Sequence, residues 1–229
     1  MTNVSVVTFD LDGTLVDTLP SIANAFNEIL KEYGYEIFSV EKYMDFIGNG
    51  FSVAFDRIRE VRNIKEDKEE FLSRVRDYYN LNYLKGAKIY EGMDKLLTYL
   101  EKKNIVLAVI TNKDQITAEK YCNTLLNKWK FKYIFGNPEN KAYPPKPYPY
   151  GLKMIVKDGY SIDEIVHIGD MIVDYTMAKN MGVRQIHCNY GYEKRNFEFE
   201  KCHDIQMKID DLELKLQEYR ENIDETCNC

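Results

Sequence analysis

Val4-Ser5-Val6-Val7-Thr8-Phe9-Asp10-Leu11-Asp12-Gly13-Thr14-Leu15 decides the fold: a largely apolar run ends in two carboxylates one residue apart, followed by a glycine. Such a run reads as a buried strand, so the carboxylates emerge at its end. In open α/β sheets ligands collect beyond the carboxyl ends of strands, and Gly13 gives the backbone freedom to turn sharply there. Alternation along the strand would direct Asp10 and Asp12 to one side, where like charges need a cation or a shared proton. The plainer alternative is a strand-to-turn junction, since Asp and Gly favour turns.

Further along the chain, Ile105 to Ile110 is a continuously apolar strand that runs into Thr111-Asn112-Lys113. Ile165 to Ile168 runs into Gly169-Asp170, with Asp174 four residues on, and Arg184 to Cys188 makes another strand. A shorter one is expected near Tyr133 to Phe135. Helical periodicity separates them over Gly92–Lys103, Thr117–Trp129, Tyr150–Lys157 and through Thr176 to Met181, closing at Gly182; a last helix is expected over Ile209–Tyr219. Strands alternating with helices imply an α/β, Rossmann-like parallel sheet with right-handed crossovers. Between its first strand and the rest, Ile22, Phe26, Ile29, Leu30, Phe51, Phe55, Ile58, Phe71, Leu72 and Val75 recur at three- and four-residue spacings. That pattern predicts an inserted all-helical unit over 18–86, leaving 1–17 and 87–229 as the α/β core.

Composition narrows the function. The 229 residues are 45% apolar and 30% charged, ordinary for a globular protein, and fit one large domain or a core with a smaller insert. The net charge of −6 is spread over mixed-sign stretches rather than one basic face, which argues against nucleic acid as partner. No basic segment followed by an apolar core opens the chain, and no apolar run approaches the ~20 residues of a membrane span. Five cysteines without framework spacing agree with a reducing compartment, so the expected place is the cytoplasm. Cys227-Asn228-Cys229 could bind metal or oxidise, but reads first as a frayed tail.

Convergence of the strand ends on one sheet edge explains the polar residues economically. A hard cation such as Mg²⁺ wants oxygen ligands and bridges to phosphate, which suits Asp10 and Asp170 from two strand ends. Thr111 and Asn112 could hydrogen-bond a phosphoryl oxygen, or merely cap the following helix; Asp170 likewise could be an N-cap after Gly169. Lys146 lies in Pro144-Pro145-Lys146-Pro147-Tyr148-Pro149, where prolines restrict where the ammonium points. His167, inside its strand, reads as a core residue.

Asp10-Leu11-Asp12-Gly13-Thr14-Leu15, Val109-Ile110-Thr111-Asn112-Lys113, Lys146-Pro147-Tyr148-Pro149 and Ile168-Gly169-Asp170-Met171-Ile172-Val173-Asp174 resemble, in order, the four motifs of the haloacid dehalogenase superfamily. The helical insert resembles the cap of that superfamily. Gly48-Asn49-Gly50 and the Asp12-Gly13-Thr14-Leu15-Val16-Asp17 start resemble its phosphoglycolate phosphatase-like branch. The resemblance implies a Mg²⁺-dependent phosphatase for a small phosphorylated metabolite, acting as monomer or homodimer, with phosphoglycolate as the first guess. Asp10 would be the nucleophile that forms an aspartyl-phosphate, and Asp12 the general acid and base. Asp10, the Asp12 main-chain carbonyl and Asp170 would hold Mg²⁺, with Gly169 and Asp174 supporting them from behind. Thr111, Asn112 and Lys146 would hold the transferring group; Thr14, Gly48, Asn49, Gly50 and Lys113 would contact the substrate or shape its site. Lys42, Arg57, Arg59, Arg62, Lys85 and Lys88 are candidate contacts for a second anionic group. Met171 and Tyr175 depart from the usual pattern of the fourth motif. A sugar phosphomutase, a nucleotidase or pyrophosphatase, and a non-catalytic phospho-ligand binder on the same fold are the alternatives.

Overall fold

The computed structural model describes residues 4–48 and 50–193, together with the backbone of 206–207. The chain divides into two compact units, one formed by Met1–Leu15 and Ile89–Cys229 and the other by Val16–Lys88. In chain order the elements are β1 (Val6–Phe9), β2 (Val16–Asp17), α1 (Leu19–Glu32), a 3₁₀ turn (Glu41–Asp45), α2 (Gly50–Arg62), α3 (Lys68–Asn82) and β3 (Lys88–Ile89). Then come α4 (Met93–Lys102), β4 (Val106–Asp114), α5 (Gln115–Asn123), β5 (Phe131–Asn137), α6 (Tyr150–Lys157), a short 3₁₀ turn (Ile162–Glu164), β6 (Ile165–Gly169), α7 (Ile172–Met181), β7 (Arg184–Cys188) and β8 (Gln206–Met207).

The first unit is a six-stranded sheet in the order β5-β4-β1-β6-β7-β8, parallel throughout. β1 is its middle, flanked on both sides and buried at all four positions, which is why its sequence is apolar on both faces. Phe9 lies opposite Val109 of β4 and Ile168 of β6, and the Asp10 N–H still reaches the Ile168 carbonyl at 2.9 Å. The polar residues at the carboxyl ends of these three strands therefore stand at the same edge of the sheet. Val6, Ala108 and Ile110 pack with Leu152 and Ile155 of α6 and Met177 and Ala178 of α7. Alternation turns Val7, Phe9, Leu107 and Val109 to the opposite face.

Several boundaries differ from the sequence-based expectation. β4 does not stop at Ile110 but runs on to Asp114, with its register to β5 slipping between those residues. α5 begins at Gln115, because the Asp114 carboxylate accepts the Thr117 N–H at 2.8 Å and so caps it. It ends at Asn123 rather than Trp129, since Thr124 leaves helical geometry at φ −119°, ψ −81°. β5 extends over seven residues, α7 starts at Ile172, and the two-residue strands β2 and β3, which pair with each other, carry too little pattern to be read. Gly182 does close α7, at φ 70°. The expected helix Ile209–Tyr219 and the Cys227/Cys229 tail lie outside the described residues.

The second unit is helical, and most of the spaced apolar positions are its core: Ile22, Phe26, Ile29 and Leu30 of α1, Phe55 and Ile58 of α2, and Phe71, Leu72 and Val75 of α3 are buried, while Phe51 is half-buried with its ring 5.4 Å from that of Phe26. Aromatic rings knit it together, with Phe55 and Phe71 at 4.9 Å and Phe38 and Phe46 at 5.1 Å between centroids. Its arginines serve the unit itself. Arg57 donates to the carbonyls of Phe46 and Ile47, Arg59 to that of Glu66, and Arg62 to those of Glu36 and Ile37 while lying 3.8 Å over the Phe38 ring. Lys42 pairs with Asp45 at 2.9 Å. No helix among the described residues is long and apolar enough to cross a membrane.

Candidate active site

Asp10, the first residue past β1, is 5% exposed. Its Oδ1 accepts from the Leu11 N–H at 2.7 Å and from the Lys146 ammonium at 2.8 Å, which fixes the rotation of the carboxylate. Burial, opposed by the attraction of Lys146, pushes its carboxyl up to about 6. The Lys146 ammonium is shared with Asp174 Oδ1 at 2.7 Å. Burial acts against the charge on Lys146, but Asp10 and Asp174 outweigh it and raise its pKa.

Asp170 follows β6 and is fully buried. It does not cap a helix: Oδ1 accepts from the Thr14 hydroxyl at 2.9 Å and Oδ2 from the Tyr192 N–H at 2.7 Å. Burial first, then the charges of Asp10 and Asp174, drive its pKa well above the carboxylate range. Asp174, in the first turn of α7, also accepts the Met171 N–H at 3.1 Å; burial disfavours its charge, yet Lys146 and His167 hold it down at about 2. Oxygens of Asp10, Asp170 and Asp174 all lie within 4.8 Å of one another. Three buried carboxylates thus face one lysine. The donor set is all oxygen, and among the described residues a single ammonium, that of Lys146, is paired with it, so it fits a hard divalent cation such as Mg²⁺. Gly169 permits the crowding, since a Cβ there would sit 2.4 Å from the Asp174 carboxyl carbon.

The remaining motif residues are tied to these. Asp12 does not share a cation with Asp10 through its side chain; both its oxygens are 2.9 Å from the Lys113 ammonium. Lys113, its side chain 4% exposed, is held charged by that pair against the cost of burial. The expected substrate contact Lys113 is therefore also the partner of Asp12. Thr111 is buried, its hydroxyl oxygen accepting the Lys113 N–H at 3.2 Å. Asn112 neither caps a helix nor presents a free amide. Its Oδ1 accepts the Lys146 N–H at 2.6 Å and its Nδ2 donates to the Lys146 carbonyl at 3.2 Å, while Asn137 holds its own carbonyl at 2.6 Å. Asn112 clamps the backbone that aims Lys146. Gly13 turns the chain at φ 86°, and a Cβ on it would lie 2.3 Å from Asp170 Oδ2. Gly50 opens α2 and Gly48 lies ahead of it in the helical unit; Asn49 lies outside the described residues.

Two parts of the site escaped sequence reasoning. His167 is in the core, as its place in a strand suggests, but its Nε2 is 3.0 Å from Asp174 Oδ1 and its Nδ1 2.8 Å from the Thr8 hydroxyl. Burial lowers its pKa against the opposing pull of Asp174 and so favours the uncharged ring. The tautomer that satisfies both contacts has Nε2–H donating to Asp174 and Nδ1 accepting from Thr8. The other part is the turn 189–192 after β7, whose Tyr192 N–H binds Asp170. Its signal was available: it stands at the end of a core strand, like three of the four motifs.

The haloacid dehalogenase-like hydrolase family model matches residues 7–188. Phosphoglycolate phosphatase 1 of Pseudomonas aeruginosa is 31% identical over 201 residues, 82% of this chain and 70% of that protein. Phosphoglycolate phosphatase of Vibrio parahaemolyticus is 28% identical over 199 residues, 83% of this chain and 86% of its own. The crystal structure of a predicted phosphoglycolate phosphatase from Haemophilus somnus superimposes with a TM-score of 0.80 at 27% identity, covering 95% of this chain and 99% of that one. With the four motifs meeting at one edge of the parallel sheet, the chain belongs to the haloacid dehalogenase-like hydrolase family, in its phosphoglycolate phosphatase-like branch.

Proposed function

We propose that the protein is a Mg²⁺-dependent phosphatase of a small phosphomonoester, with phosphoglycolate as the first substrate to try. The observation that carries this reading is the cluster of three buried carboxylates within 4.8 Å, one of them, Asp10, locked to Lys146. Asp10, Asp170 and the main chain at Asp12 would hold the Mg²⁺, and Asp174 would steady the site through Lys146 and His167. Bound there, the cation supplies positive charge that offsets repulsion between the carboxylate and the phosphate.

In the first step a carboxylate oxygen of Asp10 forms a bond to phosphorus as the bond from phosphorus to the ester oxygen breaks. The departing alkoxide takes a proton from Asp12 and leaves as an alcohol. Asp12 then removes a proton from water, whose oxygen attacks phosphorus and breaks the bond to Asp10, freeing phosphate. Lys146 neutralises charge on Asp10 throughout, and Thr111 with Lys113 binds the phosphoryl oxygens. Since Lys113 holds Asp12 through both oxygens, an arriving phosphate that draws off the ammonium would free Asp12 to exchange protons.

The test is phosphate release from a panel of phosphoglycolate, sugar phosphates, nucleotides and pyrophosphate, with Mg²⁺ and with EDTA. Release concentrated on one compound, sensitive to EDTA and absent in a folded Asp10→Asn variant, is expected. Activity that survives EDTA or Asp10→Asn overturns the mechanism.

A further inference from the structure

The turn Asn189-Tyr190-Gly191-Tyr192 lies outside the four motifs, yet it packs with Gly13 against the Asp170 carboxylate. β7 brings it there: His187 pairs with Gly169, so the turn leaves β7 beside the residue that follows β6. Tyr192 presents its N–H to Asp170 Oδ2 at 2.7 Å. Tyr190 acts on the other oxygen through an intermediary, its hydroxyl donating to the Thr14 carbonyl at 3.0 Å while the Thr14 hydroxyl donates to Asp170 Oδ1 at 2.9 Å. Gly191 makes the approach possible, since a Cβ there would sit 2.2 Å from the Asp170 Cβ and 2.4 Å from its Oδ2. The Tyr190 ring is in turn braced by Tyr90, with centroids 4.8 Å apart.

We infer that this turn is a positioning element for a divalent cation: Tyr190, Gly191 and the Tyr192 N–H fix the Asp170 carboxylate in the orientation that binds metal. The inference rests on the assignment of Asp170 as a metal ligand. Each carboxylate oxygen accepts two hydrogen bonds or ligands, and each here receives one donor from the turn or from Thr14, so one acceptor position per oxygen is kept for the cation. Groups that orient a ligating carboxylate change metal affinity or activity by about 10- to 100-fold when removed.

Tyr190→Phe deletes only the hydroxyl and keeps the ring against Tyr90; Gly191→Ala drives a methyl into Asp170. Mg²⁺ binding to the full chain is measured by calorimetry without substrate, together with Tm in EDTA and the KM and kcat for the best substrate of the panel. Tyr190→Phe is expected to weaken Mg²⁺ binding about 10-fold, leaving Tm in EDTA and the substrate KM at saturating Mg²⁺ near wild type. Gly191→Ala is expected to weaken it 100-fold or more. Wild-type Mg²⁺ affinity in Tyr190→Phe, or a lowered Tm with unchanged affinity, refutes the positioning role and leaves the phosphatase intact. A wild-type chain that binds no Mg²⁺ overturns the metal assignment and this inference with it. Should Gly191→Ala fail to fold, Tyr190→Phe decides alone.

Discussion

Asp170→Asn is expected to make the metal-free protein more stable while destroying its activity. The Asp170 carboxylate lies within 4.8 Å of oxygens on two others, Asp10 and Asp174. At an effective dielectric constant of about 20, each such contact between full charges costs at least about 3.5 kcal/mol. Lys146 answers only part of this, since its contacts are with Asp10 and Asp174 rather than Asp170. The chain can relieve the rest by taking up a proton, which at pH 8 costs at most about 6 kcal/mol for an ordinary carboxyl. The amide keeps the shape and the bonds: its oxygen can accept the Tyr192 N–H, and its NH₂ can donate to the Thr14 hydroxyl, which turns to accept. Within these bounds we expect a gain of about 3 kcal/mol, read from urea unfolding in EDTA at pH 8. Because the folded-state pKa of Asp170 is raised, the wild type binds more protons folded than unfolded and loses stability as pH rises. The variant's advantage is therefore complete above that raised pKa and fades as pH falls toward the ordinary carboxylate range. On the proposed assignment of Asp170 as a Mg²⁺ ligand, Mg²⁺ at 100 times its Kd adds about 2.7 kcal/mol to the wild type and nothing to the variant, bringing the two curves together. An Asp170→Asn protein that is less stable than wild type in EDTA at pH 8 would refute the claim that repulsion from Asp10 and Asp174 outweighs what Lys146 supplies.

Three other substitutions separate the parts of the site. Gly13→Ala places a methyl 2.3 Å from Asp170 Oδ2 at a φ of 86°, and should cut kcat/KM about 100-fold and lower stability by more than 1 kcal/mol, seen in steady-state kinetics and urea melts. Asn112→Ala removes both bonds that clamp the Lys146 backbone; kcat should fall about 10- to 100-fold with KM little changed, and an unaltered kcat would show that Lys146 is aimed by its prolines alone. Asp67→Ala removes the acceptor for the Glu69 and Glu70 N–H groups at the start of α3, so the protein should lose about 1 kcal/mol in urea unfolding while kinetics in the folded range stay unchanged.

The parallel strands were legible because burial on both faces forces continuous apolar runs, and the site was legible because those runs end in polar residues. The edge strand β5, half covered and mixed in sequence, was underestimated for the same reason. What the one-dimensional pattern lacks is pairing. Nothing near Asn112 in sequence marks Lys146, 34 residues away, as the partner of its amide, and nothing near Asp12 marks Lys113, 101 residues away, as its counter-ion. His167 sits at an ordinary core position of β6, and only α7 folding back over the sheet turns it into a partner of Asp174. Local signals place groups at an edge; which group touches which is decided by the register of strands and the path of loops.

The pairing of β2 with β3 has a consequence for how such a chain can change over time. The two strands mark where the helical unit begins and ends in sequence, and paired strands lie about 5 Å apart. An insert whose ends meet so closely asks nothing of the scaffold that carries it. It can lengthen, be traded for another, or shrink to a tight turn without rerouting a single strand of the sheet. A change of length within the insert is in this way uncoupled from the strand register that sets the carboxylates.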